Sequence, residues 1–301
     1  LKIFRKYRKA YLVNEFIKKN KNITCVIADH WKSIEKINTT KKKVCLIHSK
    51  EINHKKDSFT NRRILKAFDN VDQIIANSEY TRSLAIEIGI EQSKVIVINP
   101  GIFPAKDLDK SSIKEAKKIL KNSNPRLITV SRLDKRKNHL KIIMAIRNLK
   151  QIYPNIIYTC VGDGEEEESI KSLSKQLNLN DHVIFLKNIN QNLKNALVAS
   201  SNVFIMPSII HKASVEGFGI AYIEAGQYGV PSIGGKDGGA ADAIKNGETG
   251  IICDGNNLDD IYSSLDLILK NNSYIEFGKK AKEYSLNFHW DKIVKEYLKV
   301  L

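Results

Sequence analysis

The stretch S-V-E-G-F-G-I-A-Y-I-E-A, residues 214–225, follows the apolar run Val203–Met206. An apolar run, a polar loop with two glycines and then an apolar segment of helical character are typical of a strand, a turn and a helix N-terminus in a parallel α/β unit. Gly217 and Gly219 would leave backbone N–H groups bare at the positive end of that helix, where a phosphate is best held. The pattern therefore predicts an anion-binding loop bracketed by Glu216 and Glu224. A purely structural turn is the alternative, because glycine loops before helices are common.

Two more strand-like runs end in polar loops. Residues 131–138 (SRLDKRKN) follow the run 127–130 and are rich in cations, and residues 234–241 (GGKDGGAA) follow the run 230–233 and are rich in glycine. In an open parallel sheet all such strand ends lie at one edge, where ligands bind. The three loops together favour a ligand site over a structural turn.

The spacing E-x7-E at Glu216 and Glu224 is accompanied by S-R-L-x-x-R-K at 131–137, V-G-D-G at 161–164 and G-V-P-x-I at 229–233. Together these motifs resemble the retaining GT-B glycosyltransferases of family 4. The run E-G-F-G-I-A-Y-I-E-A, followed by G-V-P and G-G-A, is most similar to the phosphatidylinositol mannosyltransferases. The resemblance is dense over residues 127–269 and looser over 44–101. It implies an α/β protein of the GT-B class, with two Rossmann-like doubly wound domains facing across a cleft.

The resemblance implies a binding site for the diphosphate of a nucleotide-sugar donor. Negative charge grows on the phosphate oxygens in the transition state, so cations and amides aimed at them stabilise that state more than the ground state. The candidates are two cations and four backbone amides: Arg132, Lys137, Gly217, Phe218, Gly219 and Ile220. Lys135 and Arg136 are adjacent alternatives to the two cations.

Other roles follow from the same resemblance. Glu224 corresponds to the family glutamate that accepts the ribose hydroxyls, and Glu216 to the one near the donor sugar. Asn188 and Ile189 correspond to the backbone that meets the base. His48 resembles, by position, the histidine with which the N-terminal domain approaches the reacting sugar, although a histidine at a strand end is also a common structural hydrogen bonder. The predicted catalytic set is therefore Glu216, His48, Arg132 and Lys137.

Residues 107–109 spell D-x-D, the metal motif of a different glycosyltransferase class. The motif lies in a segment rich in Pro, Asp, Lys and Ser and does not follow a strand, so we predict a solvated acidic turn. The resemblance implies an enzyme that needs neither a metal nor a tightly bound cofactor.

Strand-like runs alternate with helical segments along the chain, as in an α/β protein. Four such runs precede residue 104 (24–28, 44–48, 73–77 and 95–98), and six follow residue 126. We predict an N-terminal acceptor-side domain at 1–104, a linker at 105–125, a nucleotide-sugar-binding domain at 126–287 and a C-terminal helix at 288–301 that crosses back. The Gly-rich first strand-turn-helix of the family is not found, so we expect the N-terminal domain to be truncated.

Composition is that of a globular protein, with 42% hydrophobic and 27% charged residues among 301. The four cysteines are far apart in the sequence and three lie in strand-like runs, which favours buried thiols in a reducing compartment. No apolar run approaches the roughly 18 residues of a membrane span. We expect a cytoplasmic protein, with any membrane contact peripheral and at the inner face of the plasma membrane.

The formal charge is +16, and residues 1–57 contain 16 Lys or Arg against 5 Asp or Glu, an excess of +11. Such an excess favours anionic partners, although a solvated lysine-rich surface is the alternative. Residues 1–20 predict an amphipathic helix with apolar side chains on one side (Ile3, Phe4, Tyr7, Tyr11 and Phe16). The helix either packs on its own sheet or lies on an anionic membrane surface.

The resulting hypothesis is transfer of a hexose, with retention, from a nucleoside diphosphate sugar to a hydroxyl of a lipid-linked or glycan acceptor. GDP-mannose is the first donor candidate and a UDP-sugar the second. No second carboxylate is identified that could act in a double displacement. We therefore favour attack by the acceptor on the same face of the sugar that the leaving phosphate occupies. A catalytically incomplete nucleotide-sugar-binding protein is the alternative. A nucleic-acid-binding protein is disfavoured, because few aromatic residues lie among the N-terminal lysines.

Overall fold

The computed structural model describes residues 2–301 and the side chains of residues 7–301, so Ile3 and Phe4 of the predicted amphipathic face lie outside the described side chains. The chain forms two compact units, Leu1–Pro100 with Asp291–Leu301, and Gly101–Trp290. Both are built on parallel sheets, as the alternation of strand-like and helical segments predicts.

The first unit contains a four-stranded parallel sheet in the order β1-β2-β3-β4. Its strands are β1 (Cys25–Ala28), β2 (Lys42–Ile47), β3 (Gln73–Ala76) and β4 (Val95–Val97). Its helices are α1 (Lys2–Lys19), α2 (Trp31–Ile34), α3 (Phe59–Phe68) and α4 (Glu79–Glu87), with most of α13 (Trp290–Val300). The hydroxyls of Ser58 and Ser78 cap α3 and α4 by accepting backbone N–H groups, which explains where these helices begin.

Apolar side chains cover both faces of this sheet. One cluster includes Trp31, Ile64 and Phe68, from the helices that follow β1 and β2. The other includes Val44 and Ile75 from the strands and Ile293 from α13. The C-terminal helix is therefore part of the core of the first unit.

The second unit contains a six-stranded parallel sheet in the order β10-β9-β8-β5-β6-β7. Its strands are β5 (Arg126–Val130), β6 (Ile157–Val161), β7 (Val183–Leu186), β8 (Val203–Met206), β9 (Ser232–Gly235) and β10 (Gly250–Cys253). Its helices are α5 (Lys110–Leu120), α6 (His139–Leu149), α7 (Glu167–Gln176), α8 (Gln191–Ala199), α9 (Ile220–Gln227), α10 (Ala240–Ala243), α11 (Leu258–Leu269) and α12 (Tyr274–Ser285). This strand order is that of a doubly wound Rossmann sheet.

Alternating strand residues enter two separate cores, one on each face of this sheet. Leu127 packs in the core beneath α6 and α11, and its neighbour Ile128 packs in the core beneath α5, α8 and α9. The strands therefore read as nearly continuous apolar runs, as is typical of a parallel sheet covered on both faces.

The segment predicted as a linker, 105–125, contains α5. Asp109 begins this helix by accepting the backbone N–H of Ser112 at 2.8 Å, and Ala116 and Leu120 are fully buried in the core of the second unit. Hydrogen bonds from the Ser111 hydroxyl and the Ser112 N–H lower the pKa of Asp109 to about 2. The second aspartate of the D-x-D sequence is thus a helix cap.

Candidate active site

The six-stranded sheet reverses its winding direction between β5 and β8, which pair in parallel. In open α/β sheets ligands bind outside the carboxyl ends of the strands at such a switch point. The loop 131–138 leaves β5 here, and the loop 207–219 leaves β8. The two loops contain most of the residues that the sequence predicts for the diphosphate.

The loop after β5 has a fixed conformation. Asp134 accepts the backbone N–H of Lys137 and caps a short 3-10 helix, Lys135–Lys137. Asn138 then adopts a left-handed conformation, and its side-chain amide donates to the carbonyls of Pro207 at 3.1 Å and Gly255 at 2.7 Å. Asn138, which the sequence analysis did not single out, thereby ties the loops after β5, β8 and β10 together.

Lys137 and Arg136 meet Glu216 in one buried ionic cluster. Lys137 Nζ lies 2.5 Å and Arg136 Nη1 2.7 Å from the same oxygen, Oε2 of Glu216. The three side chains are only 10 to 13% exposed. Within residues 2–301 the other oxygen of Glu216, Oε1, receives no hydrogen bond, so one side of the carboxylate stays available to a ligand.

The cluster holds Glu216 in its ionised form. Burial would raise the pKa of Glu216, but the charges and hydrogen bonds of Lys137 and Arg136 outweigh it, and the pKa lies below its usual value. Burial lowers the pKa of Lys137, and the Glu216 carboxylate opposes that change. Two cations against one carboxylate leave this corner of the site with a net positive charge.

Arg132 lies outside the buried ionic cluster. Its side chain is 76% exposed and donates to Asp134 at 3.0 Å, whereas the neighbouring Arg136 contacts Glu216. An exposed pair of this kind contributes little to stability, so Arg132 can exchange Asp134 for a ligand at small cost. The family resemblance favoured Arg132 and Lys137. The structure adds Arg136, an adjacent alternative, to the group around Glu216.

Helix α9 begins at the candidate anion loop without a side-chain cap. Gly219, its N-cap, has φ 95°, and a Cβ there would lie 2.3 Å from the ring of Tyr222. The backbone amides of Gly217, Phe218, Gly219 and Ile220 donate no hydrogen bond within residues 2–301. Unbonded amides at the positive end of a helix suit an anion.

The far side of the loop is supported by the glycine-rich segment after β9. Gly239 N–H donates to the Glu216 carbonyl at 2.8 Å, and Gly238 has φ 110°. A Cβ at Gly238 would lie 2.4 Å from that same carbonyl. The glycines after β9 therefore hold the loop that carries Glu216 in place.

Glu224 lies one turn into α9 and is separate from the ionic cluster. Its carboxylate is 3.8 Å from Lys194 Nζ of α8 and its side chain is 47% exposed. It lines a cavity of about 390 Å³ together with the amides of Gln191, Asn195 and Gln227 and the ring of Trp290. Lys194 and these amides were missed by the sequence analysis, because polar residues on a helix carry no signal without the fold.

Asn188 and Ile189 follow β7 at the same edge of the sheet. Asn188 has φ 56°, and Ile189 packs against the core beneath α8 and α9. Asn190 then caps α8 by accepting the N–H of Leu193. The turn is well defined, and the role of its backbone toward a base stays a prediction.

His48 follows β2 in the first unit and is exposed, with its backbone N–H donating to Glu51 at 2.5 Å. His30, which follows β1, lies close enough for the two imidazoles to interact. Burial lowers the pKa of His30, and the Glu51 carboxylate opposes that change. Only His48 was identified from the sequence. The catalytic role of His48 stays a prediction.

Comparison with known proteins gives the family. The family described as glycosyl transferases group 1 matches residues 111–287, more than half of the chain. The chain therefore belongs to the group 1 glycosyltransferases, and its two parallel-sheet units are those of the GT-B fold.

Individual relatives refine this picture. A GDP-mannose-dependent α-(1-6)-phosphatidylinositol monomannoside mannosyltransferase of Mycolicibacterium smegmatis is 32% identical over 170 residues, which are 55% of this chain and 44% of the relative. The corresponding protein of Mycobacterium tuberculosis is 25% identical over 74% of this chain and 60% of its own length. The sequence resemblance to these mannosyltransferases is thus confirmed, although the match spans less than two thirds of either relative.

Solved structures match almost the whole chain. Anabaena HepE in complex with UDP superposes with a TM-score of 0.81 at 18% identity, covering 96% of this chain and 82% of HepE. A glycosyltransferase from Rickettsia africae gives 0.81 at 22% identity, covering 99% and 80%. These likenesses confirm the predicted fold. Over residues 2–301, no helix combines the length and the apolar character that crossing a membrane requires.

Proposed function

We propose that this protein transfers a hexose from a nucleoside diphosphate sugar to a hydroxyl group and retains the configuration of the anomeric carbon. The observation that carries the proposal is the buried cluster of Lys137, Arg136 and Glu216 beside the uncapped start of α9. A diphosphate needs several cations and N–H donors within one small region, and this corner of the sheet supplies them.

The cations have different parts in this proposal. Lys137 and Arg136 are already fixed by Glu216, so they require little reorganisation when charge grows on the leaving diphosphate. The exposed Arg132 leaves Asp134 and grips two phosphate oxygens with its planar guanidinium. Each well-placed donor of this kind contributes roughly 3 kcal/mol to transition-state stabilisation.

The carboxylate of Glu216 acts through its open oxygen. With Oε2 occupied by two cations, Oε1 accepts a hydrogen bond from a hydroxyl of the donor sugar and orients the ring. Ion pairing lowers the basicity of Glu216 and makes it a poor nucleophile, which argues against a covalent glycosyl intermediate.

The transfer then takes place on one face of the sugar. The bond between the anomeric carbon and the phosphate oxygen breaks, and the acceptor oxygen forms its bond to that carbon from the same side. The acceptor proton passes to the departing phosphate oxygen, so no protein base is required. The products are the glycosylated acceptor and the nucleoside diphosphate.

Glu224 and the cavity beside it receive the nucleoside. A carboxylate accepts well from the two ribose hydroxyls, and the amides of Gln191 and Asn195 offer both donors and acceptors to a base. The names of the relatives favour GDP-mannose, and HepE was solved with UDP and with UDP-glucose. We therefore assign GDP-mannose as the first donor and a UDP-sugar as the second.

The acceptor side belongs to the first unit in this proposal, at an anionic membrane surface on the cytoplasmic side. Asn14 of α1 bonds to the backbone of Lys36 and Asn38, and Ile17 is buried, so these residues fix one side of the helix. On the other side Leu12 is 56% and Phe16 62% exposed. Apolar side chains among lysines are suited to anionic lipid and hence to a lipid-linked acceptor.

Calorimetric and thermal-shift titration with GDP, UDP, GDP-mannose and UDP-glucose tests the donor assignment. We expect one nucleoside diphosphate to bind and to raise the melting temperature. Incubation of that donor with lipid and glycan acceptors, followed by NMR of the product, tests transfer and its stereochemistry. Binding without turnover on any acceptor would favour the catalytically incomplete alternative, and an inverted product would contradict same-face attack.

A further inference from the structure

A chain of buried hydrogen bonds closes the base of the loop after β5, outside the site described above. His139, the first residue of α6, places Nε2 3.2 Å from Ser131 Oγ, so the two ends of the loop meet. Its Nδ1 lies 2.8 Å from the hydroxyl of Tyr158 on β6, which in turn lies 2.8 Å from Thr129 Oγ1 on β5. The Thr129 hydroxyl donates to the carbonyl of Ile205 on β8. The network thus joins the two strands whose loops form the site.

The members of this network are deeply buried, with His139 2% exposed and Tyr158 and Thr129 fully buried. Polar groups in such a place lose their hydration, and only complete mutual bonding offsets that cost. Apolar side chains would fill the same space without this cost of lost hydration. A polar network here therefore requires an explanation other than packing.

We propose that His139 is a positioning residue for the diphosphate-binding cations, an inference that rests on the function proposed above. The Ser131 hydroxyl that meets the imidazole also lies 3.1 Å from the backbone carbonyl of Arg132. Through Ser131 the imidazole thus fixes the main chain from which the Arg132 side chain leaves. Lys137 lies two residues before His139 in the same closed loop. The imidazole therefore fixes the backbone positions from which the side chains of both Arg132 and Lys137 extend.

His139 should therefore affect binding of the phosphates more than binding of the nucleoside. The cations after β5 face the diphosphate, whereas the nucleoside is assigned to Glu224 and the cavity between α8 and α9. Loosening the loop would shift charges that must lie within a fraction of an ångström of the phosphate oxygens. The loss should therefore appear as weaker binding of a nucleoside diphosphate, with binding of the bare nucleoside unchanged.

The experiment compares two substitutions that each preserve one end of the imidazole. The short amide of His139→Asn reaches toward Tyr158 and abandons Ser131, and the longer amide of His139→Gln reaches toward Ser131. GDP, UDP, guanosine and uridine are titrated calorimetrically into the full chain. We expect His139→Asn to weaken the preferred diphosphate about tenfold, His139→Gln to restore most of that affinity, and neither to change nucleoside binding.

The matched control is His182→Asn. His182 is likewise hydrogen-bonded, to the backbone carbonyl of Ile156 at 2.8 Å, but it precedes β7 at the opposite edge of the sheet. We expect it to lower stability without changing the ratio of diphosphate to nucleoside affinity. If His139→Asn does not fold, Ser131→Ala removes one partner of the imidazole at a partly exposed position and should weaken the diphosphate roughly threefold.

Equal losses for diphosphate and nucleoside, or no loss at all in a folded His139→Asn protein, would overturn this inference while leaving the proposed function in place. A wild-type protein that binds neither GDP nor UDP would overturn both. A double substitution with Lys137→Ala gives an independent check. If His139 acts through the cations, the effects of the two substitutions on diphosphate affinity are less than additive, and strict additivity would contradict the proposal.

Discussion

Lys137 and Glu216 are 79 residues apart in the sequence, and their side chains meet at 2.5 Å between Nζ and Oε2. The contact is made by loops from β5 and β8, the two strands at which the sheet changes its winding direction. Because Arg136 contacts the same oxygen, Glu216 is bound by two cations and remains ionised. The double contact determines what substitution of Glu216 should do.

Glu216→Gln should lower turnover while leaving the nucleoside diphosphate bound at least as tightly as in the wild type. The amide cannot balance two cations, which then become more available to phosphate oxygens. We expect kcat to fall by about 100-fold or more, and the free energy of unfolding to fall by roughly 3 kcal/mol because two buried cations lose their partner. Steady-state kinetics, calorimetry and urea unfolding measure the three quantities. Substantially weaker binding of GDP and UDP would show that Glu216 contacts the nucleotide itself.

Glu224→Gln should give the opposite pattern. Its carboxylate is assigned to the ribose hydroxyls, so the variant should bind GDP or UDP about tenfold more weakly. The 2′,3′-dideoxy nucleotide should bind both proteins equally, because it lacks the hydroxyls. The matched control is Glu248→Gln, at an exposed position in the turn before β10. Equal losses for the dideoxy nucleotide would remove Glu224 from the ribose site.

Substitution of Arg132 should mainly weaken ligand binding, whereas substitution of Arg136 should mainly lower the stability of the free protein. Arg132→Ala removes an exposed side chain and should leave stability within about 0.5 kcal/mol of the wild type while weakening diphosphate binding about tenfold. Arg136→Ala removes a buried partner of Glu216 and should cost stability even without a ligand. Melting curves with and without nucleotide separate the two effects. An Arg132→Ala protein with unchanged affinity would remove Arg132 from the diphosphate site and leave that role to Arg136 and Lys137.

The strands and the family could be predicted from the sequence, because each β-strand of a covered parallel sheet is an apolar run followed by a polar loop. Lys137 and Glu216 were both identified, but no local pattern could show that Arg136, not Arg132, shares the carboxylate. The side of a short loop on which a cation lies depends on the cap at Asp134 and the left-handed turn at Asn138.

Stability should depend on pH through His139. Burial lowers the pKa of His139 to about 4, whereas the same group in the unfolded chain titrates near 6.5. Between these values the unfolded chain binds more protons than the folded one, so stability falls as the pH drops below 6.5. Between pH 7 and pH 5 the wild type should lose about 2 kcal/mol of its free energy of unfolding through His139. The His139→Gln protein lacks the imidazole and should not show this contribution. Urea unfolding of both proteins at the two pH values measures the difference, and equal losses would show that the imidazole is not neutral when folded.

The exposed side of α1 predicts binding to anionic lipid. Leu12 and Phe16 lie one turn apart on the side away from Asn14 and Ile17, with Arg8, Lys9 and Lys19 exposed on the same helix. The full chain should sediment with vesicles containing phosphatidylglycerol, and binding should weaken with added salt because exposed charges are screened. Replacing Leu12 and Phe16 together by Ser should reduce the bound fraction about tenfold, since buried apolar area drives insertion.

Phe59→Ser is the matched control, because Phe59 is 71% exposed on α3 of the same unit and should not affect sedimentation. Equal binding of the double variant and the wild type would mean that α1 does not contact the lipid.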